Sequence, residues 1–184
     1  DIKSYDDLNI DPGDISRKVT DKTKAIVVMH YGGFACHMDE IMSIADKHGI
    51  PLIEDTAWGC GGYYENTPLG TYGNIGTYSF DFAKAMTTGE GGMIVFKDKY
   101  LYEKAAAWHD HGHENNPDFP RWEDSRSSSG FNYRMDEMQG AVRLAQLKKL
   151  DFVVDEQRKN AKLIMDGISD IPVEKYLLPN FHMP

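Results

Sequence analysis

Cysteine is scarce in this chain, with only Cys36 and Cys60 among 184 residues. Two thiols cannot supply a disulfide framework, so packing must hold the fold, and a reducing cytoplasm is the expected compartment. Positive charge is also in short supply. Twenty lysines and arginines face 29 aspartates and glutamates, for a formal net charge of −9. That balance excludes the basic surface that nucleic acid or an anionic membrane requires. No apolar run is long enough to span a bilayer, and no signal peptide is read at the start. Internal repeats and low-complexity tracts are missing too. The opening residues lack a methionine, and Asn180-Phe181-His182-Met183-Pro184 does not look like a finished terminus. A piece of a longer protein is therefore expected. What is present suffices for one domain with a real core.

Hydrophobic patterning predicts the order of elements. Residues 1–24 are polar, with a turn signal at Pro12-Gly13, and read as loop plus a short helix. Ala25-Ile26-Val27-Val28-Met29 is a short apolar run of the kind buried on both faces of a sheet. Asp39 to His48 carries Ile41, Met42, Ile44 and Ala45 at helical spacing, and Gly49 follows as a left-handed cap. Ile50-Pro51-Leu52-Ile53 is then a second strand, so the three elements form a βαβ unit with parallel pairing. Ile75 to Phe80 and Met93 to Phe96 give two more strands. No helical period separates them, and a parallel neighbour needs a long crossover, so the fourth strand returns antiparallel. Helices are predicted over 99–108, 134–150 and 151–168, with a long loop at 109–130 and an irregular tail marked by Pro172 and Pro179. A boundary near residue 150 divides a sheet domain, 1–149, from a connecting helix and the start of a second domain, 150–184. The fold class is α/β with a mostly parallel sheet.

Lys84 stands out. It follows the strand-like Thr77-Tyr78-Ser79-Phe80 and precedes Thr87-Thr88-Gly89-Glu90-Gly91-Gly92, in a glycine-rich loop leaving the carboxyl end of the third strand. Structural lysines usually lie on helix faces with their ammonium groups in water. A desolvated lysine amine can instead form an imine with an aldehyde. Asp55 follows the end of the second strand, and in open α/β sheets ligands collect at that edge. If the aldehyde belongs to pyridoxal phosphate, a carboxylate such as Asp55 is needed against the ring nitrogen. Ser79 is placed to donate to the phosphate. Each residue also has an ordinary reading. Lys84 could be a surface lysine, Asp55 a helix cap, and Ser79 a small strand residue.

Four blocks together carry a resemblance. Ile53-Glu54-Asp55-Thr56-Ala57, Ile75-Gly76-Thr77-Tyr78-Ser79-Phe80, Lys84 with Thr87 to Gly92, and Gly130-Phe131-Asn132-Tyr133-Arg134-Met135-Asp136-Glu137-Met138-Gln139 resemble the DegT-type sugar aminotransferases, in that family's order and spacing. The resemblance implies a fold-type I, three-layer architecture, incomplete here, and pyridoxal 5'-phosphate as cofactor. By it, Lys84 carries the cofactor covalently, Asp55 pairs with the ring nitrogen and Ser79 binds the phosphate. Asn132 would reach the phosphate in the partner subunit, which implies a homodimer with shared sites. The family moves an amino group, usually from glutamate, to a keto-sugar. A minority branch deoxygenates sugars and has histidine in place of the lysine, so Lys84 favours transamination. Trp58 departs from the pattern, because Gln or His is common at that position near the cofactor's ring hydroxyl. Indole can donate one hydrogen bond and accept none. Also missing are an amino-terminal helix start that binds phosphate and a residue that packs on the ring. The stretch Trp108 to Pro117 is similar to a subgroup forming 8-amino-octulosonate, whereas most of the family acts on nucleotide-linked keto-sugars.

A rival comes from another class. His109, Asp110, His111, His113 and Glu114 include residue types that bind zinc or iron, which would suit a metal-dependent hydrolase or metal-binding module. Against it, both cysteines are distant and the loop has no helical or strand scaffold, so no metal is expected. An inactive fragment keeping only the scaffold is the third reading. Met135 and Met138 read as core or interface packing. Arg134 reads as either a carboxylate-binding or an ion-paired residue.

Overall fold

The structure, a computed structural model, describes residues 1–4 and 7–168. The tail with Pro172 and Pro179, and the expected start of a second domain, lie outside the described residues. Helix α1 (Pro12–Lys18) begins where Asp11 accepts hydrogen bonds from the Gly13 and Asp14 amides, with Pro12 at its first position. Strand β1 (Ile26–Met29) leads through a short turn to α2 (Met38–His48), which Gly49 closes at φ 63° as expected. Strand β2 (Leu52–Asp55) follows, then a small hairpin of β3 (Tyr63–Tyr64) and β4 (Thr67–Pro68). Strands β5 (Ile75–Ser79) and β6 (Gly92–Phe96) complete the sheet, and α3 (Lys99–His109), α4 (Glu137–Leu147) and α5 (Leu150–Ile168) come after it.

The main sheet runs in the order β1-β2-β5-β6. Its first three strands are parallel, and β6 returns antiparallel to β5, as the missing crossover period predicts. Three details differ from the sequence reading. Asp55 is the last residue of β2 rather than the residue after it, because the strand starts at Leu52, past Pro51. Residues 56–74, which link two parallel strands and for which the sequence pattern predicts no element, hold the β3–β4 hairpin. That loop lies so close under β5 that any side chain at Gly76 would run into the backbone of Gly70. The helix expected over 134–150 is shorter. Asp136 starts it with a capping box, its carboxylate accepting from the Gln139 amide while Gln139 accepts from the Asp136 amide.

One sheet face is dry. Ile26, Val28 and Leu52 pack with Ile15, Cys36, Met38, Ile41 and Ala45 beneath α1 and α2. Full burial of one such aliphatic side chain stabilises the fold by roughly 1.5–3 kcal/mol. The opposite face carries exposed Val27, Met29 and Ile94. Of the core or interface readings for Met135 and Met138, core does not hold for Met138: it is 80% exposed, and α4 has no buried residue.

Candidate active site

Strand register decides which side chains share a face. Met29, Asp55 and Thr77 are aligned across β1, β2 and β5, and Ser79 lies two residues further along β5. Alternate residues of a strand point the same way, so Asp55 and Ser79 share the open face of the sheet at its carboxyl edge. The Asp55 carboxylate is half-buried and accepts the Ala57 amide at 3.0 Å. This bond caps a turn rather than a helix, for no helix follows Asp55. The Ser79 hydroxyl oxygen accepts the Asp81 amide at 3.3 Å, which leaves its proton free to donate.

Lys84 sits half-buried in the loop between β5 and β6. The loop is tied at its base by Phe80 N–H donating to Gly91 O at 2.9 Å and Thr88 N–H to Phe80 O at 3.0 Å. Gly91 takes φ 138°, a value open to glycine and strained for other residues. The Lys84 amine stands 5.6 Å from the centroid of the Trp58 indole, in cation–π range. Trp58 is in turn braced edge-on by Tyr31 at 5.3 Å. No carboxylate pairs with Lys84 or cation with Asp55 among the described residues. Trp58 thus comes from the turn that Asp55 caps, and Lys84 from the loop that starts beside Ser79. The sequence reading doubted Trp58 because indole accepts no hydrogen bond. In this geometry it offers a π face to a cation.

The reverse face of β2 holds a buried pair. Glu54 and His30 are both fully buried, with His30 Nε2 3.0 Å from Glu54 Oε2. His30 Nδ1 accepts the Cys36 amide, so the ring proton resides on Nε2 and is donated to the carboxylate. Glu54 also accepts the amides of Gly70 and Gly73, at 2.9 and 2.6 Å. Burial alone raises the Glu54 pKa, but the bonds from His30, Gly73 and Gly70 outweigh it and hold the carboxyl below its ordinary value. Sequence reasoning missed this pair. The available signal was a carboxylate inside an apolar run, Leu52-Ile53-Glu54, which must find partners if the strand is buried.

Asn132 meets other partners than Asp55, Ser79 and Lys84. It is exposed, bridges to Asp110, and accepts the Arg134 Nε at 3.1 Å. Arg134 also pairs with Asp110 at 3.2 Å, and Arg121 grips the same carboxylate with two nitrogens at 2.6 and 2.9 Å. The Arg121 hydrogen bonds hold the Asp110 carboxyl well below the usual range. These contacts give the 109–130 loop a scaffold that the sequence did not reveal. Its histidines do not converge. His109 Nδ1 meets Ala106 O, His113 Nδ1 meets Asp124, and His111 is exposed. No group of three His, Cys, Asp or Glu side chains that could hold a metal ion occurs among the described residues. The hydrolase reading therefore has no support here.

Known proteins share this fold. A GDP-perosamine synthase of Escherichia coli is 36% identical over 170 residues, covering 92% of this chain and 45% of that protein. An L-glutamine:2-deoxy-scyllo-inosose aminotransferase of Micromonospora echinospora is 34% identical, with 91% and 41% covered. Among solved structures, an aminotransferase from Psychrobacter cryohalolentis superposes with a TM-score of 0.84 at 38% identity, over 94% of this chain and 45% of that one. An E. coli GDP-4-keto-6-deoxy-D-mannose-3-dehydratase with bound hydrated PLP gives 0.83 at 32% identity, over 93% and 47%. The chain thus spans less than half the length of the relatives it matches. The model of the DegT/DnrJ/EryC1/StrS aminotransferase family matches residues 1–181, and the chain belongs to that family.

Proposed function

We propose that the protein is a pyridoxal-phosphate-dependent aminotransferase that moves an amino group from an amino acid, with glutamate the expected donor, to a keto-sugar. The observation that carries this reading is the gathering of three chemically matched groups at one sheet edge. Asp55, a carboxylate with no cation partner among the described residues, and Ser79, a hydroxyl with a free proton, share the open face. The Lys84 amine, with no carboxylate partner among the described residues, leaves the same edge in the next loop and meets Trp58 from the turn that Asp55 caps. That donor set fits the cofactor. When bound, pyridoxal phosphate supplies an aldehyde and an electron-accepting ring. Asp55 would accept the ring N–H and keep that nitrogen protonated. Ser79 Oγ would donate to the phosphate. Lys84 Nζ would hold the cofactor and, once displaced by a substrate amine, carry the proton that must leave and rejoin the reacting carbon. Trp58 would lie beside the cofactor ring.

Residues 1–149 are then part of the large cofactor-binding domain, and 150–184 the connector and the start of a smaller one. Asn132, which is exposed, would serve the partner subunit's site in a homodimer in the cytoplasm. No described helix is long and apolar enough to cross a membrane. The acceptor is a nucleotide-linked keto-deoxysugar or 8-oxo-octulosonate. The names of the relatives, which include a GDP-perosamine synthase, favour keto-sugars as a class.

The test uses the full-length protein. Mixed with pyridoxal phosphate it should turn yellow, lose that absorbance with glutamate, and retain the cofactor on Lys84 after borohydride reduction. Lys84→Ala should abolish the absorbance and turnover. A colourless protein with nothing trapped on Lys84 favours the inactive scaffold.

A further inference from the structure

Arg143 on α4 touches both ends of the Lys84 loop. Its Nη2 donates to the carbonyl of Gly92, where the loop re-enters the sheet, at 3.0 Å. Its guanidinium lies 4.3 Å from the ring centroid of Phe80, where the loop leaves the sheet. Phe80 is fully buried, and its backbone carries the two hydrogen bonds that close the loop. Thr87 adds a third, its hydroxyl donating to Phe80 O at 3.2 Å. Gln139, one turn earlier on α4, donates to Glu90 O at 3.3 Å on the return leg. Met135 lies beside Gly91, close enough to be met by any side chain placed there.

Simple packing does not explain an arginine at this place. Arg143 Nε is buried without a hydrogen-bond partner among the described residues, and an unmet buried donor is costly. A methionine would cover Phe80 equally well without that cost. What the guanidinium adds is a planar cation that stacks on a ring and donates to a carbonyl at the same time. Lysine reach depends on where its loop stands. The Lys84 side chain is long, so a shift at either hinge moves the amine relative to Asp55 and Ser79.

We propose that Arg143 is a positioning residue for Lys84, clamping both hinges of its loop from α4. The proposal rests on the reading of Lys84 as the cofactor lysine. It also joins the Asn132 block to the Lys84 loop, because α4 begins within that block, at Glu137.

Arg143→Met and Arg143→Lys in the full-length protein test it. In the protein without cofactor, Arg143→Met should speed amide hydrogen exchange at Phe80 and Thr88 while leaving β1 and β2 unchanged. With pyridoxal phosphate, its rate of borohydride-trappable attachment to Lys84 and its kcat should fall about tenfold or more, as expected for a misplaced reacting group. KM for the amino donor should stay within about twofold, since that contact is not removed. Arg143→Lys keeps the charge and a donor and should recover part of both losses. Wild-type exchange and attachment rates in Arg143→Met overturn the proposal, and so does a rise in exchange spread evenly through the sheet, which marks an ordinary packing residue. A wild-type protein that traps nothing on Lys84 sinks the cofactor reading instead, and the exchange comparison still decides whether Arg143 clamps the loop.

Discussion

The parts of the molecule before and after residue 97 hold their shape by different means. Before it, apolar burial dominates. Of the twelve buried apolar side chains among the described residues, eleven lie there, and Ala107 is the other. After it, polar ties do most of the work. Arg121 and Arg134 converge on Asp110, Asp124 accepts the amides of Asn115 and Asn116, and Asp136 caps α4. The difference matches what each part holds. Asp55 and Ser79 stand on a packed sheet and have little freedom. Lys84 stands on a loop whose hinges are gripped from the second part through Arg143, so the weaker region helps to aim the amine.

Breaking the sheet from below should have the largest effect. Glu54→Ala removes the acceptor of His30 Nε2 and of the Gly70 and Gly73 amides, all buried. Leaving a buried donor unmet costs about 1–3 kcal/mol each, and three are left here, read as a shift in the urea midpoint of the full-length protein. The same carboxylate predicts a pH signature. Its folded pKa lies below the unfolded value, so its stabilisation is complete above the unfolded pKa and is lost as pH falls through the folded one. Glu54→Gln should flatten the loss of stability below about pH 4.3, the ordinary glutamate value. An unchanged acid limb would show that Glu54 is not the titrating group.

Most of the sheet region was legible in the sequence because its strands are short runs bounded by turn residues. Yet β1, read as buried on both faces, covers only the face of Ile26 and Val28 among the described residues. Ile26 to Met29 and Ile75 to Ser79 were located within one residue. The antiparallel return of β6 followed from one missing period. The β3–β4 hairpin was not legible, since Tyr63-Tyr64-Glu65-Asn66-Thr67-Pro68 is two residues of strand on each side of a turn, too short for any alternation. Of the candidate site, Asp55, Ser79 and Lys84 were found from strand ends and glycines. Tyr31, His30 and Arg143 were not, because each acts through a partner distant in sequence (Trp58, Glu54, and Phe80 with Gly92). The ion-paired alternative for Arg134 is the one seen, through Asp110.

A smaller effect separates the two regions by mechanism. Asp136→Ala removes the side-chain cap of α4, leaving Gln139 to accept from the backbone amide of residue 136, and should cost about 1 kcal/mol. Because α4 buries no residue of its own, the loss should surface as local fraying. Faster amide exchange at Glu137 to Gly140, with the sheet unchanged, is the expected result. If the sheet amides loosen equally, α4 is part of the same cooperative unit and the contrast between the regions fails.

The smallest effect tests the contrast at its far end. Phe152 and Leu163 on α5 are 68% and 70% exposed, so a serine at either place removes no buried contact described here. A solvent-facing substitution usually stays within about 0.5 kcal/mol. Phe152→Ser in the full-length protein should therefore leave the urea midpoint nearly unchanged, whereas Ile41→Ala, in the core under α2, should cost about 2–5 kcal/mol. A loss from Phe152→Ser comparable to that of Ile41→Ala has one physical meaning: this face of α5 is covered in the full-length protein. Sedimentation of the variant then tells which cover it is. Loss of stability with dissociation assigns the face to a second copy, and loss without dissociation assigns it to the remainder of the same polypeptide. In either case the second region would owe its stability to the same apolar burial as the first, only supplied from outside residues 1–168.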